Sequence, residues 1–221
     1  RTKEAVAMMK AKDTVSLLKE ERILPIVRGI DAEYAVDLAR ATLASGCRIM
    51  EFTLSIPGIL KEVVRVKEMF PEMAIGLGTV LTREQAKEAV KVGVDFVVSP
   101  ILNREIIDEV KNADKMLVLA GLTPTELYEA YRLGSDVVKL FPAREMNPSY
   151  IRELRGPLPE LEILATGGLS LIMAIEYIAA GAVAVGLGST LYKKELIIQK
   201  KFDQITQIIE NAYNRIKMVK L

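Results

Sequence analysis

The chain has 221 residues, half of them hydrophobic, which is enough for one large domain or two small ones. Its 30 Lys and Arg side chains balance 29 Asp and Glu, so the charge indicates neither nucleic acid nor a membrane surface as a partner. Histidine is absent, which excludes a Ser-His-Asp triad and imidazole-based zinc sites and leaves acid–base chemistry to Glu, Asp, Lys and Tyr. The single cysteine, Cys47, excludes an internal disulfide and any metal site built from several cysteines.

No apolar run approaches the length of a membrane span, and no signal peptide is recognisable. Together with the single cysteine, these features favour a cytoplasmic protein. Carboxylates could hold magnesium, but no tight carboxylate cluster stands out, and no P-loop or G-x-G-x-x-G pattern is present. We therefore expect no metal, no nucleotide and no other cofactor.

The amphipathic pattern of residues 2–20 predicts an N-terminal helix, with Val6, Met9, Val15 and Leu18 as its apolar contacts. From residue 23 onward, short apolar runs alternate with helical segments. The runs predict eight strands, at 23–28, 48–54, 74–80, 96–100, 116–122, 137–142, 162–165 and 182–185.

Side chains that cap helices precede the helical segments and predict where they begin. They are Asp31, Thr82 with Gln85, Asn103, Thr123 with Glu126, Asn147 with Pro148, and Ser170. Glycines at 46, 93, 134 and 181 predict helix ends. One long final helix is predicted from about Glu195 to Val219.

Eight strand–helix units with short connections are typical of a (β/α)₈ barrel, a TIM barrel, here with an additional N-terminal helix. The strands are continuous apolar runs, as a parallel sheet covered on both faces requires. A doubly wound open sheet is the alternative, but it seldom needs eight similar units. No linker interrupts the chain, so we expect one domain over residues 1–221.

Lys139 is the most unusual residue, because it lies within the apolar strand 137–142. Side chains alternate along a strand, so Val137, Lys139 and Phe141 share one face. Burial would lower the pKa of the Lys139 amine and make it a nucleophile toward a ketone or aldehyde. The alternative is a lysine that pairs with a carboxylate or reaches solvent at the strand end.

Two further charges, Arg28 and Glu51, lie within predicted strands near their C-terminal ends, where barrel enzymes place their active sites. Glu51 and Lys139 both come from even-numbered strands, which fill the same interior layer, so they can meet. The pair could be a plain buried ion pair, or a proton shuttle beside a Schiff-base amine. Three charges at one mouth favour the functional interpretation.

Glycine-containing turns follow strands seven and eight, at Thr166-Gly167-Gly168 and at Gly188-Ser189. In barrels these two loops often bind a phosphate through backbone N–H groups. The alternative is that the glycines only form tight turns.

Several motifs in order between residues 20 and 190 resemble those of the 2-keto-3-deoxy-6-phosphogluconate (KDPG) aldolases, which also act as 4-hydroxy-2-oxoglutarate aldolases. They are Met-Glu-Phe-Thr-Leu at 50–54, Gly-Leu-Gly-Thr-Val at 76–80, Val-Ser-Pro at 98–100, Thr-Pro-Thr-Glu at 123–126, Val-Lys-Leu-Phe-Pro at 138–142 and Ala-Thr-Gly-Gly-Leu at 165–169. The resemblance implies a homotrimeric class I aldolase that cleaves KDPG to pyruvate and glyceraldehyde 3-phosphate without a metal.

The resemblance also implies roles for individual residues. Lys139 would be the Schiff-base lysine and Glu51 the proton shuttle. Arg28 and Thr79 would hold the substrate carboxylate, and Pro100 and Phe141 would pack on the pyruvyl part. The phosphate would be surrounded by Thr166, Gly167, Gly168, Gly188 and Ser189.

The chain departs from the family pattern at four places: Ser55 stands where many members have arginine, Leu119-Ala120 where Pro-Gly is usual, Ile101 where histidine or glycine is common, and Ala165 where proline is usual. These departures leave the identity of the substrate open, and epimeric sugar acids remain candidates.

Two other hypotheses remain at this point. One is an isomerase or another metal-free lyase that uses Glu51 as a base without imine chemistry. The other is a silent scaffold that assembles through apolar helix residues such as Ile172, Met173, Ile175, Ile198, Ile205 and Ile208.

Overall fold

A computed structural model describes residues 9–220 of the chain. Eight parallel strands close into a barrel, and each pairs with its neighbours in sequence order until β8 returns to β1. The strands are β1 Ile23–Val27, β2 Ile49–Thr53, β3 Ala74–Gly78, β4 Phe96–Val98, β5 Met116–Gly121, β6 Val137–Leu140, β7 Ile163–Thr166 and β8 Ala184–Leu187. The predicted (β/α)₈ barrel is confirmed.

Ten α-helices accompany the strands in the described part of the chain. They are α1 Ala11–Glu21, α2 Ala35–Ala44, α3 Ile59–Met69, α4 Arg83–Lys91, α5 Ile107–Asn112, α6 Pro124–Arg132, α7 Ser149–Arg155, α8 Leu171–Ala179, α9 Lys194–Ile198 and α10 Phe202–Lys217. The capping boxes of Thr82 and Thr123 form as predicted, and Ser170 accepts the backbone N–H of Met173. These local signals therefore determine where three of the outer helices begin.

Three helix predictions are wrong in detail. Asp31 makes no capping hydrogen bond and precedes a 3₁₀ turn, so α2 begins only at Ala35. The Asn103 carboxamide bonds to the backbone of Glu105 and Leu81, ahead of α5. The predicted helix over 195–219 is two helices, because Lys200 has a left-handed backbone conformation (φ 55°) between α9 and α10.

The N-terminal helix begins later than predicted within the described residues. Met9 precedes α1 and packs partly buried against the core, as Val15 does, while Leu18 is fully buried. The predicted contact at Val6 and the rest of residues 2–8 lie outside the described residues. Among residues 9–220, no helix combines the length and apolarity needed to cross a bilayer.

The apolar helix residues divide between packing and surface. Ile205 is fully buried, and Met173, Ile175 and Ile208 pack partly buried on the core. Ile172 and Ile198 are 65% and 60% exposed. Most of this set therefore serves helix-to-barrel packing, and only two of its members are free to meet another surface.

A buried charge cluster closes the N-terminal end of the barrel around Asp95. The Asp95 carboxylate forms an ion pair with Lys67 and accepts the backbone N–H groups of Ile75 and Met9, at 2.9 and 3.1 Å. Both charged side chains are buried, so each compensates for the desolvation of the other. The cluster also attaches the segment before α1 to the base of the barrel.

The opposite, C-terminal end of the barrel receives the charged residues found in the sequence. Several strands end earlier than predicted, so Arg28, Thr79 and Pro100 lie in the loops that follow β1, β3 and β4. Glu51 and Lys139 remain within β2 and β6, each near the middle of its strand. Loop residues and strand residues are therefore both found at the C-terminal end of the barrel.

Candidate active site

A cavity of about 760 Å³ opens at the C-terminal end of the barrel. Most of the sequence-predicted site residues line it: Arg28, Glu51, Lys139, Phe141, Thr166, Gly167, Gly168, Gly188 and Ser189. The barrel topology therefore brings together residues from the first, second, sixth, seventh and eighth strand–loop units.

Lys139 lines this cavity and is only 5% exposed. Its backbone pairs with Ala120 of β5 and Leu164 of β7, and its Nζ lies 4.9 Å from the centre of the Phe141 ring. Burial lowers the pKa of the Lys139 amine, an effect that Glu51 opposes and Arg28 adds to. Burial therefore shifts Lys139 toward its neutral amine, which is the nucleophilic form.

Glu51 is 2% exposed on β2, and its Oε2 has no hydrogen-bond partner among the described residues. Burial raises the pKa of this carboxyl, while Lys139 and Arg28 lower it. Glu51 and Lys139 thus act electrostatically on each other inside the barrel. An unpaired buried carboxyl with a raised pKa is suited to take up and return a proton during a reaction.

Space for the Glu51 carboxylate depends on a glycine of β3. A Cβ on Gly78 would lie 1.8 Å from Glu51 Oε1 and 2.4 Å from its Cδ. Gly76 lies two residues earlier on the same face of β3. It leaves space for the Phe96 ring, because a Cβ at position 76 would lie 2.1 Å from a ring carbon. Glu51 therefore occupies a slot that only a glycine at position 78 leaves open.

Arg28 and Thr79 form one unit at the rim. The Arg28 guanidinium donates from Nη2 to Thr79 Oγ1 at 3.0 Å. Thr79 has φ 61°, a left-handed conformation that is costly for a β-branched residue. Arg28 lines the cavity, whereas Thr79 does not line it and is connected to it only by its hydrogen bond to Arg28.

The turns after β7 and β8 form the other side of the cavity. Gly167 and Gly168 have φ of 106° and 71°, and a Cβ on Gly167 would meet the Phe141 ring at 2.9 Å. Thr190, in the turn after β8, donates its hydroxyl to the Leu169 carbonyl at 2.6 Å and thereby joins the two turns. Thr166 donates to the Gly186 carbonyl, so its hydroxyl proton is already used within the barrel.

Two predicted residues, Thr79 and Pro100, are absent from the described wall. Thr79 still reaches the wall through its hydrogen bond to Arg28, whereas Pro100 has no such connection among the described residues. Conversely, sequence reasoning missed several residues of the wall: Ile26, Ile30, Arg144, Tyr192, Lys193 and Lys194. Arg144 and the two lysines follow β6 and β8, so the barrel rule about C-terminal loops could have identified them.

The departures from the family pattern have distinct surroundings. Ser55 is exposed and its hydroxyl bonds to Thr53 at 2.8 Å. Ala120 is buried beside Lys139 in the sheet, and Ile101 is 52% exposed. Ser55 and Ile101 lie outside the described cavity wall.

Metal-binding side chains do not cluster in the part of the chain that the structure describes: no three Cys, Asp or Glu residues there could hold an ion together. The chemistry available at the mouth is instead that of a buried amine, a buried carboxyl and backbone N–H donors. This combination can form an imine with a carbonyl compound, move a proton beside it, and bind an anion at the glycine turns.

Comparisons with known proteins agree with this chemistry. The family model "KDPG and KHG aldolase" matches residues 14–208. A probable 2-dehydro-3-deoxy-6-phosphogalactonate aldolase of Rhizobium meliloti is 34% identical over 82% of this chain and 87% of its own length. A 2-dehydro-3-deoxy-phosphogluconate aldolase of Treponema pallidum is 31% identical over 88% of this chain and 93% of its own.

Among solved structures, the KDPG aldolase of Legionella pneumophila superimposes with a TM-score of 0.82 at 27% identity, over 90% of this chain and 97% of that one. That crystal structure contains pyruvate captured at low pH as a covalent carbinolamine intermediate.

Proposed function

Because the chain belongs to the KDPG and KHG aldolase family, we propose that it cleaves a phosphorylated 2-keto-3-deoxy sugar acid through a Schiff base on Lys139. The chain is an aldolase, and hence a carbon–carbon lyase. The observation that carries the proposal is the buried Lys139 amine, whose pKa is lowered, in the same cavity as the buried Glu51 carboxyl, whose Oε2 has no hydrogen-bond partner among the described residues.

In the proposed reaction, the neutral Lys139 amine attacks the C2 ketone to form a carbinolamine, which loses water to give a protonated imine. Glu51, directly or through water, removes the proton from the C4 hydroxyl. The C3–C4 bond then breaks, its electron pair moves into the imine to form an enamine, and the aldehyde leaves. Protonation of the enamine at C3 and hydrolysis release pyruvate and restore the amine.

Substrate binding follows from the charges along the wall. We propose that Arg28, held by Thr79, binds the substrate carboxylate, and that the Phe141 ring packs on the pyruvyl part. The terminal phosphate would be received through backbone N–H groups at the end of β7 and in the turns after β7 and β8, at Thr166, Gly167, Gly168, Gly188 and Ser189. Pro100 would contribute only if the loop after β4 moves toward the substrate.

We propose KDPG as the substrate, with 4-hydroxy-2-oxoglutarate as a second one that yields pyruvate and glyoxylate. The epimeric 2-dehydro-3-deoxy-6-phosphogalactonate is the alternative, since the relative from Rhizobium meliloti carries that name at 34% identity. Comparing kcat/KM for the three compounds, with pyruvate measured as product, decides among them.

We propose three further properties of the protein. A homotrimer is supported by family membership and by exposed apolar residues such as Ile172 and Ile198, and light scattering of the purified protein tests it. A single functional domain is supported by the closure of all eight strands into one barrel. A cytoplasmic location is supported by the buried free thiol of Cys47.

Mass spectrometry after incubation with pyruvate and borohydride tests the imine directly. The parent protein should gain one reduced pyruvyl group on Lys139, and Lys139→Arg should gain none, because guanidinium keeps its charge and is not a usable nucleophile. An adduct on another lysine, or none in the parent, contradicts the proposed function. An isomerase that uses Glu51 without imine chemistry would likewise remain unlabelled.

A further inference from the structure

We infer that Arg144 is an additional binding residue for the terminal phosphate of the substrate, held over the Gly167-Gly168 turn by the loop that follows β6. This inference rests on the proposed function and extends its phosphate site by a guanidinium group. Arg144 lines the cavity and is exposed at its rim.

The side chain of Arg144 lies directly on the glycine turn. A Cβ on Gly168 would be 2.8 Å from Arg144 Cδ and 3.3 Å from its Cβ, so the arginine stem occupies the space that a side chain at 168 would need. The Arg144 backbone N–H also donates to the Gly167 carbonyl at 3.1 Å. Because both contacts join the same two segments, the arginine and the turn are positioned together.

Tyr177 of α8 anchors the loop after β6 through hydrogen bonds to its backbone. Its side chain is fully buried, and its hydroxyl lies 2.7 Å from the Ala143 carbonyl and 3.0 Å from the Met146 carbonyl, to which it donates. These two carbonyls flank Arg144 in the chain. The backbone on both sides of the arginine is therefore anchored, although the arginine head itself stays exposed.

The guanidinium is available for a ligand. It forms a long ion pair with Glu145, at 3.9 Å, and both side chains are 68% exposed. Such a long surface pair contributes little and is easily exchanged for a better anion. A phosphate monoester offers two negative charges and a geometry that matches the guanidinium fork.

The surrounding charges favour an anion at this rim. Three cations and two anions lie along this part of the wall: Arg144, Lys193 and Lys194 against Glu145 and Glu195. Arg144 is the member of this group whose side chain contacts the glycine turn. We therefore assign phosphate recognition to Arg144 and leave the two lysines as general sources of positive potential.

The test compares phosphorylated and unphosphorylated substrates in Arg144→Gln, Arg144→Lys and a matched control. Arg152→Gln removes the same charge from an exposed position on α7, outside the cavity wall. Arg144→Gln should lower kcat/KM for KDPG about 10–100-fold, mainly through KM, since hydrogen bonds to charged groups are worth about 1.5–3 kcal/mol. Cleavage of 4-hydroxy-2-oxoglutarate should change less than about twofold.

The same variants should differ in their inhibition by inorganic phosphate, which should bind more weakly to Arg144→Gln than to the parent, with Arg144→Lys between them. Arg152→Gln should behave as the parent. An Arg144→Gln enzyme with unchanged kcat/KM for KDPG, or with equal losses on both substrates, overturns the inference while the aldolase proposal stands. A parent enzyme that forms no pyruvyl adduct overturns both.

Discussion

Substituting Gly78 by alanine probes how closely the barrel positions the Glu51 carboxylate. The new Cβ would lie 1.8 Å from Glu51 Oε1, 2.4 Å from Cδ and 3.0 Å from Cγ. The optimal separation of non-bonded heavy atoms begins at about 3.5 Å, so the carboxylate oxygen must move away by about 1.7 Å. Backbone lies on both sides, because Gly78 pairs with Thr53 and Val98 in neighbouring strands.

A displacement of about 1 Å in a reacting group can cost roughly 10²-fold in rate. Gly78→Ala should therefore lower kcat about 10²-fold while pyruvate still forms an imine on Lys139, because the amine itself is not touched. Overpacking a buried site costs about 1–3 kcal/mol. For a chain of this size that corresponds to a fall of roughly 2–12 °C in melting temperature.

Two controls separate catalysis from stability. Gly76→Ala overpacks the same strand face, but against the Phe96 ring, so it should destabilise the barrel without moving the Glu51 carboxylate directly. Gly156→Ala adds a methyl group whose nearest neighbour is 3.5 Å away, at a φ of −57°, and should be nearly neutral.

The assays are steady-state aldol cleavage with pyruvate detection, borohydride trapping and thermal unfolding. If Gly78→Ala unfolds at a lower temperature but keeps kcat within about threefold of the parent, the position of the Glu51 carboxylate does not limit the rate, and the reasoning is refuted.

Other variants test the remaining parts of the site. Glu51→Gln should keep imine formation but lose about 10²–10⁴-fold in turnover, and activity within twofold of the parent would remove Glu51 from the mechanism. Burial raises the pKa of Glu51 in the folded protein above its ordinary 4.5. The folded protein is therefore more stable with Glu51 protonated, and it loses this stability as pH rises through the folded pKa. Glu51→Gln should therefore gain in melting temperature relative to the parent at pH 8, and this gain should shrink below pH 4.5; a difference independent of pH would contradict the shift. Gly168→Glu should impair KDPG more than 4-hydroxy-2-oxoglutarate, since it adds bulk and negative charge at the phosphate turn, whereas equal losses would show that the turn is only structural. Burial raises the pKa of Tyr177 to about 12, so its hydroxyl stays a donor, and Tyr177→Phe should raise KM for KDPG without affecting borohydride trapping; an unchanged KM would show that the loop needs no such anchor.

The order of the strands and the position of Glu51 and Lys139 in one cavity could be predicted because both follow from local patterns. Apolar runs mark the strands, capping boxes at Thr82 and Thr123 mark helix starts, and the barrel rule places even-numbered strands in one layer. A lysine within an apolar run is conspicuous without any knowledge of its neighbours.

Other features depend on contacts between distant residues and could not be read from local patterns. The apolar periodicity of residues 195–219 continues through Lys200, whose backbone nevertheless turns left-handed and separates α9 from α10. Gly78 looks like any strand glycine until the Glu51 side chain is seen to fill its missing Cβ position. The barrel rule would place Arg144 at the mouth of the barrel, but its contact with the Gly168 turn is seen only in the structure.

The Asp95 cluster at the base of the barrel should tolerate substitution much less well than the loops at the opposite end. Asp95 shares its carboxylate among Lys67, Ile75 and Met9, so replacing Lys67 by an uncharged residue would leave a buried charge without its partner, at a cost of about 3–5 kcal/mol. That loss is a large part of the free energy of folding of a typical domain. Variant libraries that seek new substrates are therefore best confined to the loops after β6, β7 and β8, with Asp95, Lys67 and their backbone partners kept constant. Selection would then act on binding, with little interference from clones that fail to fold.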